Sequence, residues 1–361
     1  MKVTIDSFGI TPSGEIIERY TLDNGKGITV DLITYGATIL KIATPDCGGN
    51  RSDITIGFDS IEDYLKKNHH FGSIVGRYAN RIEGASFRLG GTTYHLEQNN
   101  GKNHIHGGSR GFDKYVWSAH VIEHEESASV VMQHISPDGD MGFPGTVSVQ
   151  IAYTLDTMDT LTIDYSAFTD APTVLNLTNH TYFNLSGNIG SPISDHVITV
   201  HADDYLPINE EGIPTPEAPQ PVEDTVMDLT LPSVIGDKLY EKDPQLIFAG
   251  GFDHTYVLSK DHDKIVRLAA MLTHPDSGRS ISIATSEPGI HVYTANSLDG
   301  KTKYRDGIVV PKHGAIAFET QHFPNSPNRP DFPTTVLTPE HTYTQKTKFT
   351  FNKVITTCNV K

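Results

Sequence analysis

The sequence predicts an all-β protein. Nearly every periodic segment alternates apolar and polar residues, or runs β-branched between turn residues. The 361 residues include 31 glycines and 21 prolines, which supply the turns a strand meander needs. Helical signals are few, and there is neither βαβ alternation nor a repeat of fixed period, which speaks against doubly wound and solenoid folds. In chain order, strand-like segments fall at 27–33, at 86–89 before Gly90-Gly91, and at 129–135. Two more, TVSVQIAYTL and TLTIDYSAF, lie within 146–168 on either side of a turn at 156–159. Then come VITVHA (197–202), KIVRLAAML (264–272), SISIAT (280–285), the apolar run AIAF (315–318) and TYTQKTKFTF (342–351). Two short helices are expected. SIEDYLKK (60–67) has Ser, then acids, then a basic end. The segment 230–240 is a weaker candidate because it contains Pro232. The stretch PINEEGIPTPEAPQP, with five prolines from Pro207 to Pro221, reads as a surface loop inside one domain. Similar strand-like segments flank it and neither half looks complete alone.

The formal net charge is −16, which repels DNA and acidic membrane surfaces but suits a neutral small substrate. Neither nucleic acid nor membrane is expected as a partner. The two cysteines, Cys47 and Cys358, are neither a disulfide framework nor a zinc pattern and suit a reducing compartment. The opening MKVTIDSFGITPSG lacks the apolar stretch of a secretory signal, and no run of 18 apolar residues occurs. A cytoplasmic protein is the expectation.

Polar residues cluster at six places. In GAIAFETQHFPNSPN (314–328), Glu319 follows the apolar run, and Pro324 and Pro327 forbid a central strand beyond it. Glu319 is therefore expected where a rigid element gives way to a rim, a common place for chemistry. Alone it reads more simply as a strand-end Glu facing water. GRYANRI (76–82) carries Arg77 and Arg81 around Asn80, and an Arg fork grips paired oxygens. NHIHGG (103–108) sets His104 and His106 two apart, on one face of any strand. A metal reading would need further ligands, and no HExxH or Cys cluster supplies them. More simply, one His faces a pocket and the glycines let backbone approach a ligand. GGSRG (107–111) matches the nucleophile elbow of esterases, with Ser109 as nucleophile. The following FDKYVWSAHVI looks like strand where that motif needs a helix, so the match reads as chance. VLNLTNHTYFNL (174–185) surrounds His180 with hydrogen-bonding side chains. GGFDHTYVL (250–258) places Asp253 between a double-Gly turn and a strand. TSEPGIHVYTAN (285–296) sets His291 and Tyr293 two apart, to line a pocket or merely to pack.

Together these segments, in order and spanning about residues 35 to 337, resemble the aldose 1-epimerase family, the galactose mutarotases. The resemblance implies a large single-domain β-sandwich (1–361) with few short helices, the galactose mutarotase-like supersandwich, with an open sugar cleft on one face. It implies Glu319 as catalytic base and His180 as catalytic acid. Asn80, Arg81, His106, Tyr182 and Asp253 match sugar-contacting positions; Arg77 matches a motif residue not placed on the sugar. His291 stands where many relatives have Gln after Pro-Gly-Val, and can still donate to a sugar hydroxyl. The 207–221 loop is longer and richer in proline than the family suggests, and is a candidate to reshape the cleft's rim.

Interconverting α and β anomers needs a base on the C1 hydroxyl and an acid on the ring oxygen. On this reading Glu319 begins ionised. A modest upward shift protonates His180, the two face each other from opposite sides of the ring, and each sustains the other's charge. Arg81, His106 and Asp253 hold hydroxyls in place. No redox or group transfer occurs, so neither cofactor nor metal is expected. The expected partner is a small sugar, bound by a monomer or homodimer. Two alternatives remain: a substrate that is a disaccharide or another aldose, and a non-catalytic carbohydrate-binding module, which would require a lost acid or base.

Overall fold

The computed structural model of the protein describes residues 1–66, 70–258 and 264–353. Most strands fall into three antiparallel sheets. The first is a five-stranded meander in chain order: Lys2–Ile10, Ile16–Asp23, Thr29–Ile33, Thr38–Pro45 and Arg51–Asp53. The second has nine strands. It opens with Ser118–Glu123, Ser127–Ser136, Val147–Asp156 and Thr160–Thr169. It then crosses to Tyr343–Lys353 and continues through Arg279–Thr285, Arg267–His274, Val197–Val200 and Ser233–Val234. The C-terminal strand thus joins segments from both sides of the 207–221 loop. The third sheet runs Tyr182–Phe183, Ile316–Gln321, Gly289–Tyr293, Asp253–Val257, Asp204–Tyr205 and Gln220–Pro221.

Period-two patterning decides which face turns inward. Along Val147–Asp156 every second residue, from Val147 to Leu155, is buried. One apolar layer takes Leu22, Val30 and Ile42 from the first sheet, and Ile151, Ile163 and Phe349 from the second. Ile290, Val292 and Phe318 join it from the third. Each such side chain contributes about 1.5–3 kcal/mol on leaving water. The sheets pack face to face on this shared layer, which makes the molecule an all-β sandwich.

Among the described residues there are three α-helices, Ile61–Lys66, Ile235–Leu239 and Pro244–Ala249, and none is long and apolar enough to cross a membrane. Ser60 caps the first, its hydroxyl accepting from the Asp63 N–H at 3.3 Å; Lys67 lies outside the described residues. The 230–240 candidate shrinks to five residues, because the chain pairs as strand at Ser233–Val234 immediately after Pro232. The N-terminal hairpin was not apparent in the sequence: Lys2–Ile10 lies largely in solvent and shows no clean alternation. Cys47 is disulfide-bonded, which two cysteines so far apart in sequence did not suggest; Cys358 lies outside the described residues.

Candidate active site

The six-stranded sheet builds the floor. Its register sets Thr255 opposite His291 and His291 opposite Glu319, so three neighbouring strands present one row of polar side chains. Two residues along, and therefore on the same face, Asp253 stands opposite Tyr293, Tyr293 opposite Ala317, and Tyr182 opposite Ala317. The alternate residues Tyr256, Val292 and Phe318 belong to the core. Glu319 thus projects from within a strand that runs to Gln321, rather than from the strand's end, and is only 2 % exposed. The prolines end the element later than expected, since Pro324 lies three residues beyond the last paired residue.

Loops supply the walls. Asn80 and His106 both have left-handed backbones (φ 64° and 53°). That turn at His106 breaks strand alternation, so His104 and His106 do not share a face. His104 is fully buried, with Nδ1 at 2.8 Å from the Glu97 carbonyl, while His106 opens onto the cleft. The Asn80 N–H donates to His106 Nδ1 at 3.2 Å. Arg77 lies away from the cleft, as expected, buried against Ser136, Pro137 and Pro144. Ser109 sits exposed in a turn, its N–H donating to Glu97, with strand Ser118–Glu123 rather than an α-helix ahead of it. The elbow geometry is absent.

All eight residues named from the sequence line one cleft of about 310 Å³: Asn80, Arg81, His106, His180, Tyr182, Asp253, His291 and Glu319. His180 Nε2 lies 3.4 Å from Glu319 Oε1, and the His180 and Tyr182 rings stack at 4.7 Å. A pair this close leaves no room for a pyranose between its members, contrary to the expectation that the two face each other across the ring. Asp253 accepts from His291 Nε2 at 2.7 Å, and Arg81 stands 3.5 Å from its other oxygen. His291 Nδ1 lies 2.8 Å from the Thr255 hydroxyl, so both ring nitrogens are hydrogen-bonded.

Burial dominates the electrostatics. It pushes the Glu319 carboxyl up to about 7, with Asp253 adding to the rise and His291 opposing it. It pushes His180 down to about 3, helped by the charges of His70 and His291. The expected upward shift of His180 is therefore reversed, because taking an imidazolium out of water costs more than its neighbours return. Burial would raise Asp253 too, but Arg81 and His291 outweigh it and hold the carboxylate ionised.

Sequence reasoning missed four lining residues: His70, Asn100, Ile105 and Ser297; it left Tyr293 open. His70 Nδ1 stands 3.2 Å from the buried Asp113, and its ring lies 5.0 Å from that of His106. Burial would raise Asp113, but His70 and Lys114 overcome it and hold its carboxyl at about 2. Asn100 accepts from Arg81 Nε at 3.1 Å. Neither His70 nor Asn100 stands in a patterned segment, so only folding reveals them.

Among the described residues, two groups could hold a metal. His106, His180 and Glu319 present ligand atoms within 4.8 Å of one another. So do Asp195, His196 and His274, but there His196 Nε2 and His274 Nδ1 accept from the N–H groups of Leu185 and Ser277. The nitrogens facing Asp195 therefore carry protons and clamp its carboxylate, which leaves no lone pair for an ion.

The family model for aldose 1-epimerase matches residues 18–350. A galactose mutarotase of Sus scrofa is 41% identical over 98% of this chain and 99% of its own length. An aldose 1-epimerase of Escherichia coli is 32% identical over 95% of this chain and 97% of its own. The crystal structure of a galactose 1-epimerase from Lactobacillus acidophilus superposes with a TM-score of 0.85 at 28% identity, covering 98% of this chain and 99% of that one. The chain belongs to the aldose 1-epimerase family.

Proposed function

We propose that the chain interconverts the α and β anomers of free aldoses such as galactose and glucose, acting as a single domain with Glu319 and His180 as the proton-transferring pair. The observation that carries this is their 3.4 Å contact at one edge of the cleft. The two oxygens that exchange protons in anomerisation are bonded to one carbon, so the groups serving them must themselves be neighbours. Glu319 takes the proton from the C1 hydroxyl while His180 gives one to the ring oxygen. The ring C–O bond breaks as the C1 carbonyl forms. The aldehyde turns about C1–C2, and closure on its other face returns both protons.

The pair holds one proton throughout. It is carboxylate and imidazolium while the ring is closed, and carboxylic acid and neutral imidazole while it is open. Burial favours the second distribution in the empty cleft, which is the form that accompanies the open aldehyde. The step requires no metal or cofactor. Asp253 accepts from hydroxyls, Arg81 donates, and Asn80, His106, Tyr182 and His291 contribute further polar contacts. Both members of the pair are present, against the non-catalytic reading. A cytoplasmic setting and a monomeric or homodimeric state complete the proposal.

Polarimetry on freshly dissolved α-D-galactose and α-D-glucose tests it. Glu319→Gln and His180→Asn should each lower the rate by about 10²–10⁴-fold with an unchanged circular dichroism spectrum. Near-normal turnover in either variant would remove that residue from its role.

A further inference from the structure

We infer that a cavity at one end of the apolar layer, between the first and second sheets, is a separate binding site for a small organic monocarboxylate, whose charged end lies on Arg279 and Thr44. None of its lining residues belongs to the catalytic cleft, which makes the site independent of the anomerase reading. The cavity measures about 300 Å³. A single water needs only about 10–15 Å³ of such space, so a whole molecule fits here. The volume reaches the lower bound of small-molecule pockets, about 300 Å³.

Strand register explains why the cavity is there. In the first sheet Val30 and Ile42 stand opposite each other in the apolar layer, and Thr44 lies two residues beyond Ile42, on the same face. In the second sheet Ile281 and Phe351 stand opposite each other in that layer, and Arg279 lies two residues before Ile281. At this end the sheets therefore meet through a hydroxyl and a guanidinium instead of two aliphatic chains, and the layer does not close.

Both polar groups are left short of partners. Arg279 is 3 % exposed, yet among the described residues its guanidinium meets only the carbonyls of Thr44, Asn50, Leu185 and Ser186, at 3.1–3.4 Å. A guanidinium carries five N–H groups, so four acceptors leave one unused. Burial lowers its pKa, with Asp46 alone opposing the shift. Thr44 is 4 % exposed, and its hydroxyl has no hydrogen-bond partner among the described residues. A carboxylate accepts from both groups and supplies the missing negative charge.

Charge and lining narrow the ligand. Lys26 and Asp159 also border the cavity and are of opposite sign, so Arg279 leaves it with one net positive charge. A monoanion cancels that charge, whereas a phosphate dianion overshoots it beside Asp159. Ile28, Ile54, Leu185 and Phe351 complete the wall and suit an apolar body behind the charged end. The walls are fixed before any ligand arrives. Lys26 Nζ donates to the Thr157 carbonyl at 2.7 Å and Asn24 donates to Asp159 at 2.5 Å, which laces the first sheet to the second. A preformed wall loses little freedom on binding.

The test is calorimetric titration of the full chain with sodium benzoate and sodium phenylacetate, with neutral benzamide and inorganic phosphate as controls. Salt at about 0.15 M confines the repulsion from the net charge of −16 to about 8 Å. At least one of the two carboxylates should bind with a Kd of about 1 mM or tighter, and benzamide and phosphate at least roughly tenfold more weakly. Thr44→Val should weaken that binding by roughly three- to tenfold without lowering the melting temperature, because the hydroxyl it removes has no partner in the empty protein. Arg279→Gln should abolish binding; if that variant does not fold, Thr44→Val decides alone. Arg81→Ala, in the catalytic cleft, should leave binding unchanged. The site is overturned if neither carboxylate binds, if phosphate or benzamide binds as tightly, or if Thr44→Val binds as well as wild type. Weaker binding in Arg81→Ala would put the carboxylate in the catalytic cleft and overturn it too. So would a Thr44→Val protein that melts lower, since its hydroxyl would then already be satisfied without a ligand.

Discussion

At the scale of the residue, the proposed mechanism makes a single proton shared by Glu319 and His180 set the working range. The pair can transfer protons in both directions only while it holds one. Below the lower titration both groups are protonated and no base remains; above the upper one both have lost their protons and no acid remains. With His180 pushed down to about 3 and Glu319 up to about 7, kcat/KM should rise with pH through the lower value and fall through the upper, as a bell. Asp113, held at about 2, Asp253, held well below the usual carboxylate range by Arg81 and His291, and Tyr182, pushed well above 10 by burial, titrate outside this window. Initial rates of glucose mutarotation from about pH 3 to about pH 9, corrected for the uncatalysed reaction, would show it. A profile flat across the neutral range would mean that the pair is not what titrates in the rate-limiting step.

At the scale of the element, the six-stranded sheet converts sequence alternation into the floor of the cleft, and the 207–221 loop packs Gly212 against its Arg81. Gly212, at φ +73°, packs against Arg81 so closely that an added Cβ would lie 2.7 Å from the guanidinium carbon. Gly212→Ala must therefore strain the backbone and push Arg81 off Asp253. The expected result is a rise of several-fold in KM for galactose with a smaller change in kcat, and a stability loss of roughly 1 kcal/mol by urea unfolding. An unchanged KM would show that the loop does not set the arginine. Contrasts of this kind mark what was legible in the sequence. Alternation exposed the long strands, and the run before Glu319 exposed the strand that carries it. Register was hidden, because no local pattern says that His291 will stand opposite Glu319 or that Asp253 will lie two strands away. His70 and Asn100 were hidden for the same reason: loops bring them in, and their partners Asp113 and Arg81 are distant or unmarked in sequence. The direction of the His180 shift was hidden too, since it follows from burial, which only the closed fold creates.

On the scale of the whole molecule, the charge and the site pull apart in a way that can be measured. Forty-four acidic residues against 28 Lys and Arg leave a net charge of −16, and a field of that sign repels sugar phosphates and sugar acids well before contact. A neutral aldose is indifferent to it. Raising the salt from about 0.01 M to about 1 M shortens the screening length from about 30 Å to about 3 Å, which removes any long-range steering. For glucose and galactose kcat/KM should therefore stay within roughly twofold over that range. The melting temperature should rise, because screening relieves repulsion among the surplus carboxylates while the buried pairs at Asp113 and Asp253 are shielded from it. Polarimetry and thermal unfolding on the same samples separate the two effects. A strong rise of kcat/KM with salt would point to an anionic substrate, and the cleft would then have to owe its carboxylates to something other than the hydroxyls of a free sugar.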